Sequence, residues 1–122
     1  MIYEKELSDK IIGAAIEVHK QLGNGFLEKV YENALIVELK SRDVETTAQT
    51  KIEVMYKKNI VGDYYADIVV EDKIILELKT CDKIHDNHKA QLINYLKATS
   101  KKVGYIINFG SEKKLEFVRL VF

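Results

Sequence analysis

The chain has 122 residues, 19 basic and 19 acidic, for a formal net charge of zero. That balance argues against a polycationic surface that coats nucleic acid, although it leaves room for a local basic groove. The single cysteine, Cys81, excludes an internal disulfide and any four-cysteine metal or iron–sulfur site. Length and composition predict one soluble globular domain over residues 1–122, able to bury about 65–70 % of its unfolded surface. No apolar run approaches the roughly 18 residues of a membrane span. The opening Met1-Ile2-Tyr3-Glu4-Lys5-Glu6 lacks the basic-then-apolar layout of a secretory signal, so a cytoplasmic location is expected.

In chain order, Leu7, Ile11, Ala14, Ala15, Val18 and Leu22 recur at helical spacing and predict a helix over 6–22, with Ser8 or Asp9 as its cap. Gly23-Asn24-Gly25 ends it. His19 reads either as a packed, hydrogen-bonded side chain or as a ligand. A second helix is predicted over 26–42, its apolar side made by Leu27, Val30, Ala34, Leu35 and Leu39. On it Glu28, Tyr31 and Leu35 share a stripe. Glu28 is open to two accounts: favourable charge in a first helical turn, or a carboxylate aimed at a site.

Residues 51–57 alternate polar and apolar, as a half-exposed strand does. A longer strand is predicted over 60–70, with Gly62 as a bulge, and a third over 74–80. The third helix covers 87–99, with Leu92, Ile93 and Leu96 toward the core and His88, Gln91 and Tyr95 on a neighbouring stripe. Tyr95 also serves well as helix–sheet filler. An apolar strand over 103–109 and a closing strand over 115–122 complete the chain. This order predicts an α/β fold: a mixed sheet of about five strands, covered by helices on both faces. Glu28 and Tyr31 are expected over the face that bears Asp67.

Three charges interrupt the apolar strands: Asp67, Glu77 and Lys79. A buried strand does not carry charge without compensation. Glu77 and Lys79 point to one face, with Leu76 and Leu78 on the other. If the loop Glu71-Asp72-Lys73 is centred on Asp72, Asp67 lies opposite Glu77 and the carboxylates sit about 5 Å apart. At an effective dielectric near 20 they would repel by about 3 kcal/mol. Lys79 offsets part of that. A divalent cation offsets more, and magnesium prefers oxygen ligands. The alternative is an ion-paired hairpin with a solvated charged face, which Val69 and Ile75 on the same face disfavour.

Asp67 followed by Glu77-Leu78-Lys79 resembles the core of the PD-(D/E)XK nuclease superfamily, with Ala66 where the superfamily name has proline. Gly25-Phe26-Leu27-Glu28-Lys29-Val30-Tyr31 is similar to the signature of its GxxExxY family. Gln91-Leu92-Ile93-Asn94-Tyr95 is similar to the QxxxY motif of its RecB-like exonuclease branch. The resemblance implies a restriction-endonuclease-like core and a magnesium- or manganese-dependent nuclease acting on nucleic acid, with DNA the expected substrate. It implies metal ligation by Asp67, Glu77 and the Leu78 carbonyl, with Glu28 holding the metal directly or through water. Lys79 would position the attacking water or stabilise charge on the phosphate. Gln91 and Tyr95 would orient Lys79 or contact the DNA backbone. A homodimer or another protein partner is compatible with so small a nuclease. The competing expectation is a nuclease fold with little turnover that binds nucleic acid or a protein, favoured by neutral charge and small size.

Overall fold

Amphipathic helices and apolar strands need one another to bury their faces, and here they do so in three layers. In this computed structural model, which describes residues 3–122, the elements are α1 (Lys5–Leu22), α2 (Glu28–Ser41), β1 (Thr46–Tyr56), β2 (Asn59–Val70), β3 (Ile74–Lys79), α3 (Asp86–Thr99), β4 (Val103–Asn108) and β5 (Glu116–Val121). The strands form one mixed sheet in the order β1-β2-β3-β4-β5. All neighbours are antiparallel except β3 and β4, which α3 joins as a parallel pair. A parallel pair requires such a crossover.

Helices α1 and α2 cover one face, where Ile11, Leu35 and Leu39 pack with Ile68, Leu76, Leu78 and Ile107. Helix α3 covers the other, where Leu92, Tyr95 and Leu96 meet Val69, Ile75 and Ile106. The predicted mixed five-stranded α/β fold is therefore the observed one. Both faces of β3 are covered, which is why it and β4 are buried along almost their whole length.

Three local expectations change. Helix α1 begins at Lys5, so Ser8 lies inside the helix, buried and without a partner for its hydroxyl, and neither it nor Asp9 is the cap. Strand β1 starts at Thr46, five residues before the alternation becomes regular at Lys51. The bulge on β2 falls beside Gly62: the register with β1 shifts between Val54 and Met55, which leaves Val61 as the extra residue.

The β2–β3 turn is centred on Asp72, with Glu71 and Asp72 in the left-handed region at φ 52° and 57°. Its register, Val70↔Ile74, Val69↔Ile75, Ile68↔Leu76, runs toward Asp67 opposite Glu77, as expected. The ladder nevertheless stops at Ile68↔Leu76. The cause lies one strand further out. The β1–β2 pairing skips Gln49 and Asp67, and Gln49 has φ 50°. Across this step the faces change: Ile68 and Val70 belong to the α1/α2 side, Ala66 to the α3 side. In an unbroken strand residues 66 and 68 would share a face. The kink turns the outer part of the hairpin away from β3 and opens a seam at Asp67.

Candidate active site

At the seam, side chains replace the missing ladder. The Asp67 N–H donates to Glu77 Oε2 at 3.0 Å, and the Leu78 N–H donates to Asp67 Oδ2 at 2.8 Å. Each carboxylate thus accepts the backbone amide of the opposing strand. This pair differs from the side-by-side arrangement expected of a regular ladder. It explains how two acids tolerate one place, since each satisfies a backbone amide of the opposing strand. A residue's N–H and C=O leave a strand on the same side. The Leu78 carbonyl therefore also faces the seam.

Burial leaves a large electrostatic demand. Glu77 is 7 % exposed, and burial, then the neighbouring Asp67 charge, pushes its carboxyl up to about 8. Burial also raises Asp67, against the lowering by the Leu78 amide. The Lys79 charge lowers all three of Glu28, Asp67 and Glu77, but it does not cancel the rise.

Glu28 comes from the other side of the seam. It opens α2, and removal from water, followed by the Asp67 charge, raises its carboxyl. The spacing from Gly25 to Tyr31 acquires a physical reason here. Tyr31 is fully buried, stacks on Phe109 at 4.7 Å, donates its hydroxyl to the Gly23 carbonyl at 2.6 Å and accepts the Phe26 N–H. Gly23 and Gly25 have positive φ, 69° and 112°, which makes the turn cheap for them. Tyr31 therefore clips the turn onto α2 and sets where the first helical residue, Glu28, stands. The expectation that Tyr31 packs over the Asp67 face is corrected: it lies in the core on the α1/α2 side.

Tyr95 approaches from α3. It is 6 % exposed, and burial, then the Glu77 charge, pushes its phenol up to about 12. Gln91, one turn earlier, is exposed and lines a groove running outward from Tyr95. Next along the stripe, burial and Lys79 hold the His88 imidazolium below its ordinary pKa, so the ring is neutral at pH 7. The sequence motifs therefore converge: Glu28, Asp67, Glu77, Lys79 and Tyr95 form one cluster, with Gln91 at its margin. His19 lies outside it, bound to the Ser111 carbonyl at 2.7 Å.

Two further residues belong to the cluster. Glu32, 5 % exposed, pairs with Lys29 at 2.6 Å and accepts Gln49 Nε2 at 2.8 Å, and its charge acts on both Asp67 and Glu28. The Gln49 side chain also lies near Asp67 and lowers its carboxyl. Glu32 lies one residue past the tyrosine of the GxxExxY spacing, which is the only local signal for it. Gln49 sits in a polar stretch before the regular alternation, and nothing in its sequence neighbourhood marks it.

The donor set suits a hard cation. Asp67, Glu77 and the Leu78 carbonyl are all oxygen donors, and one amide bond each leaves the carboxylates further acceptor capacity. Among the described residues, no three acidic, His or Cys side chains close around a single point. Magnesium does not require that, because it commonly keeps several waters and takes one or two carboxylates.

Comparison with known proteins gives a consistent picture. No curated protein matches the chain. Among solved structures, the crystal structure of SSO0001 resembles it at 22 % identity and a TM-score of 0.55, over 98 % of this chain and 59 % of that one. At that identity the likeness concerns the fold alone, and this chain corresponds to little more than half of the other. The family model of the PD-(D/E)XK nuclease superfamily matches residues 5–120, which takes in the seam, the α2 turn and α3 together. The chain belongs to the PD-(D/E)XK nuclease superfamily.

Proposed function

We propose that this protein is a divalent-metal-dependent nuclease that hydrolyses phosphodiester bonds in DNA, with magnesium or manganese as the ion. The observation that carries the proposal is the reciprocal carboxylate–amide pair at the seam, where Asp67 and Glu77 stand with Lys79 beside them. Half-buried Asp67 and buried Glu77 are both raised by removal from water, and a bound cation would favour their ionised forms. Within the superfamily we infer membership of the GxxExxY family, on the RecB-like side, from Gly25–Tyr31 and Gln91–Tyr95.

In this mechanism Asp67, Glu77 and the Leu78 carbonyl would hold the ion, and Glu28 would add negative charge from the α2 side, directly or through water. Bound there, the ion supplies Lewis acidity toward a phosphate oxygen and makes a water more acidic. Lys79 sets its ammonium where negative charge develops on the phosphate, and the low-dielectric surroundings strengthen that contact. The Tyr95 phenol, at about 12, keeps its proton at neutral pH, so its oxygen can accept from the Lys79 ammonium or its O–H can donate to a phosphate oxygen. Gln91 offers an amide to the nucleic-acid backbone.

The test is cleavage of linear and circular DNA, single- and double-stranded, with magnesium or manganese, by wild type and by Asp67→Asn. Metal-dependent cutting that the variant loses supports the proposal, and the circular substrates separate endonuclease from exonuclease action. Wild type that binds the metal but cuts none of these substrates overturns it, in favour of a nuclease-fold binding module.

A further inference from the structure

We propose that the groove between α3 and the β1–β2 hairpin binds unpaired nucleobases, so that single-stranded DNA is the preferred substrate; this rests on the nuclease function proposed above. The groove encloses about 780 Å³. One end lies at Tyr95, which packs in the same cluster as Ile75, and Glu77 stands two residues further along that face of β3, so the groove ends beside the carboxylate cluster. A strand whose phosphate lies at the seam can therefore lay its neighbouring nucleotides into it.

The lining chemistry selects the occupant. Tyr64 and Tyr95 meet across the groove with ring centroids 5.5 Å apart at 47°. Tyr95 is buried, whereas Tyr64 is 46 % exposed and keeps a face open to a further ring. Tyr64 pairs with Ile52, which packs under α3, so its ring lies on the α3 side of the sheet. Opposite it, Asn87, Gln91 and Asn94 stand at i, i+4 and i+7 on one side of α3 and present three amides in a row. Glu53 on β1 adds an acceptor for an exocyclic amino group, and Lys97 a cation for a phosphate. Aromatic faces beside hydrogen-bonding groups and a cation are how proteins hold single strands. A docked amphipathic helix would need an unbroken apolar stripe, which the amides and Glu53 interrupt. Paired bases in a duplex keep their faces stacked on one another and cannot reach Tyr64.

The experiment is fluorescence anisotropy in EDTA, so that nothing is cut. It compares a labelled twelve-nucleotide oligo(dT) carrying one 2-aminopurine with a blunt duplex of matching length. Wild type should bind the single strand more tightly and quench the 2-aminopurine. Tyr64→Ala should weaken single-strand binding about tenfold or more, abolish the quench and leave duplex binding within about twofold. Tyr64→Trp should retain both binding and quench, which separates stacking from a folding defect, as does an unchanged circular dichroism melt. Wild type that favours the blunt duplex, or Tyr64→Ala with undiminished single-strand binding, overturns the proposal. So does a wild-type dimer that Tyr64→Ala dissociates without loss of DNA binding. In each case, metal-dependent cleavage of duplex that Asp67→Asn abolishes would leave the nuclease function standing.

Discussion

Magnesium should displace a proton when it binds this protein. At pH 7 a carboxyl with a pKa of about 8 is roughly nine-tenths protonated, and Glu77 is such a group. A metal requires the ionised form, so binding should release about 0.9 proton at pH 7 from Glu77 alone. Asp67 and Glu28, raised in the same direction, can only add to this. Apparent affinity should climb about tenfold per pH unit below 8 and level off above it. The assay is calorimetric titration with magnesium in buffers of differing ionisation enthalpy, repeated at pH 6, 7, 8 and 9. The observed heat should depend on the buffer at pH 7 and lose that dependence by pH 9. Tight binding at pH 7 with no buffer dependence would refute the reasoning, because Glu77 would then either be ionised already or not hold the metal. Glu77→Gln should remove most of the proton release together with most of the affinity.

The same carboxyl makes stability depend on pH. Its folded pKa of about 8 lies above the ordinary 4.5, so the folded state holds the proton more tightly. Its contribution is fully present below about pH 4.5 and is lost as pH rises to about 8, by at most about 5 kcal/mol. Urea melts of metal-free protein should show that decline, and Glu77→Gln should flatten it. Lys79→Ala should slow cleavage by about 10²–10³-fold at saturating metal, by analogy with removing one transition-state donor; undiminished single-turnover rates would reject that role. Tyr31→Phe should cost about 1–2 kcal/mol in chemical denaturation, since it leaves the Gly23 carbonyl without its 2.6 Å donor, and should weaken metal binding through Glu28. Gly104→Ala should destabilise by about 1–3 kcal/mol in the same melts, because its new Cβ would meet Leu92 Cδ1 at 2.9 Å and press on α3; an unchanged midpoint would mean that Leu92 yields freely.

Much of this protein is legible in its sequence because the signals are local. The helical spacing from Leu7 to Leu22, the apolar runs at 68–70 and 74–78, and the turn around Asp72 depend only on neighbours in the chain. They suffice for the order of elements and for a mixed sheet covered on both faces. The two-residue period of a strand also placed Glu77 and Lys79 on one side, and charges in an apolar run marked the candidate site. Tertiary structure alone decided how the acids meet. The left-handed turn at Gln49 ends the ladder and makes Asp67 and Glu77 exchange backbone amides, and no periodicity reports a kink imposed from an adjacent strand. It likewise made Tyr31 a clip rather than a site residue, since the Gly23 carbonyl and the Phe109 ring reach it only after the helix folds back and β4 ends beneath it. It drew Glu32 into the cluster through Gln49, seventeen residues away. Side-chain patterns record which face of an element is buried; which partner waits on that face depends on packing between segments distant in the chain.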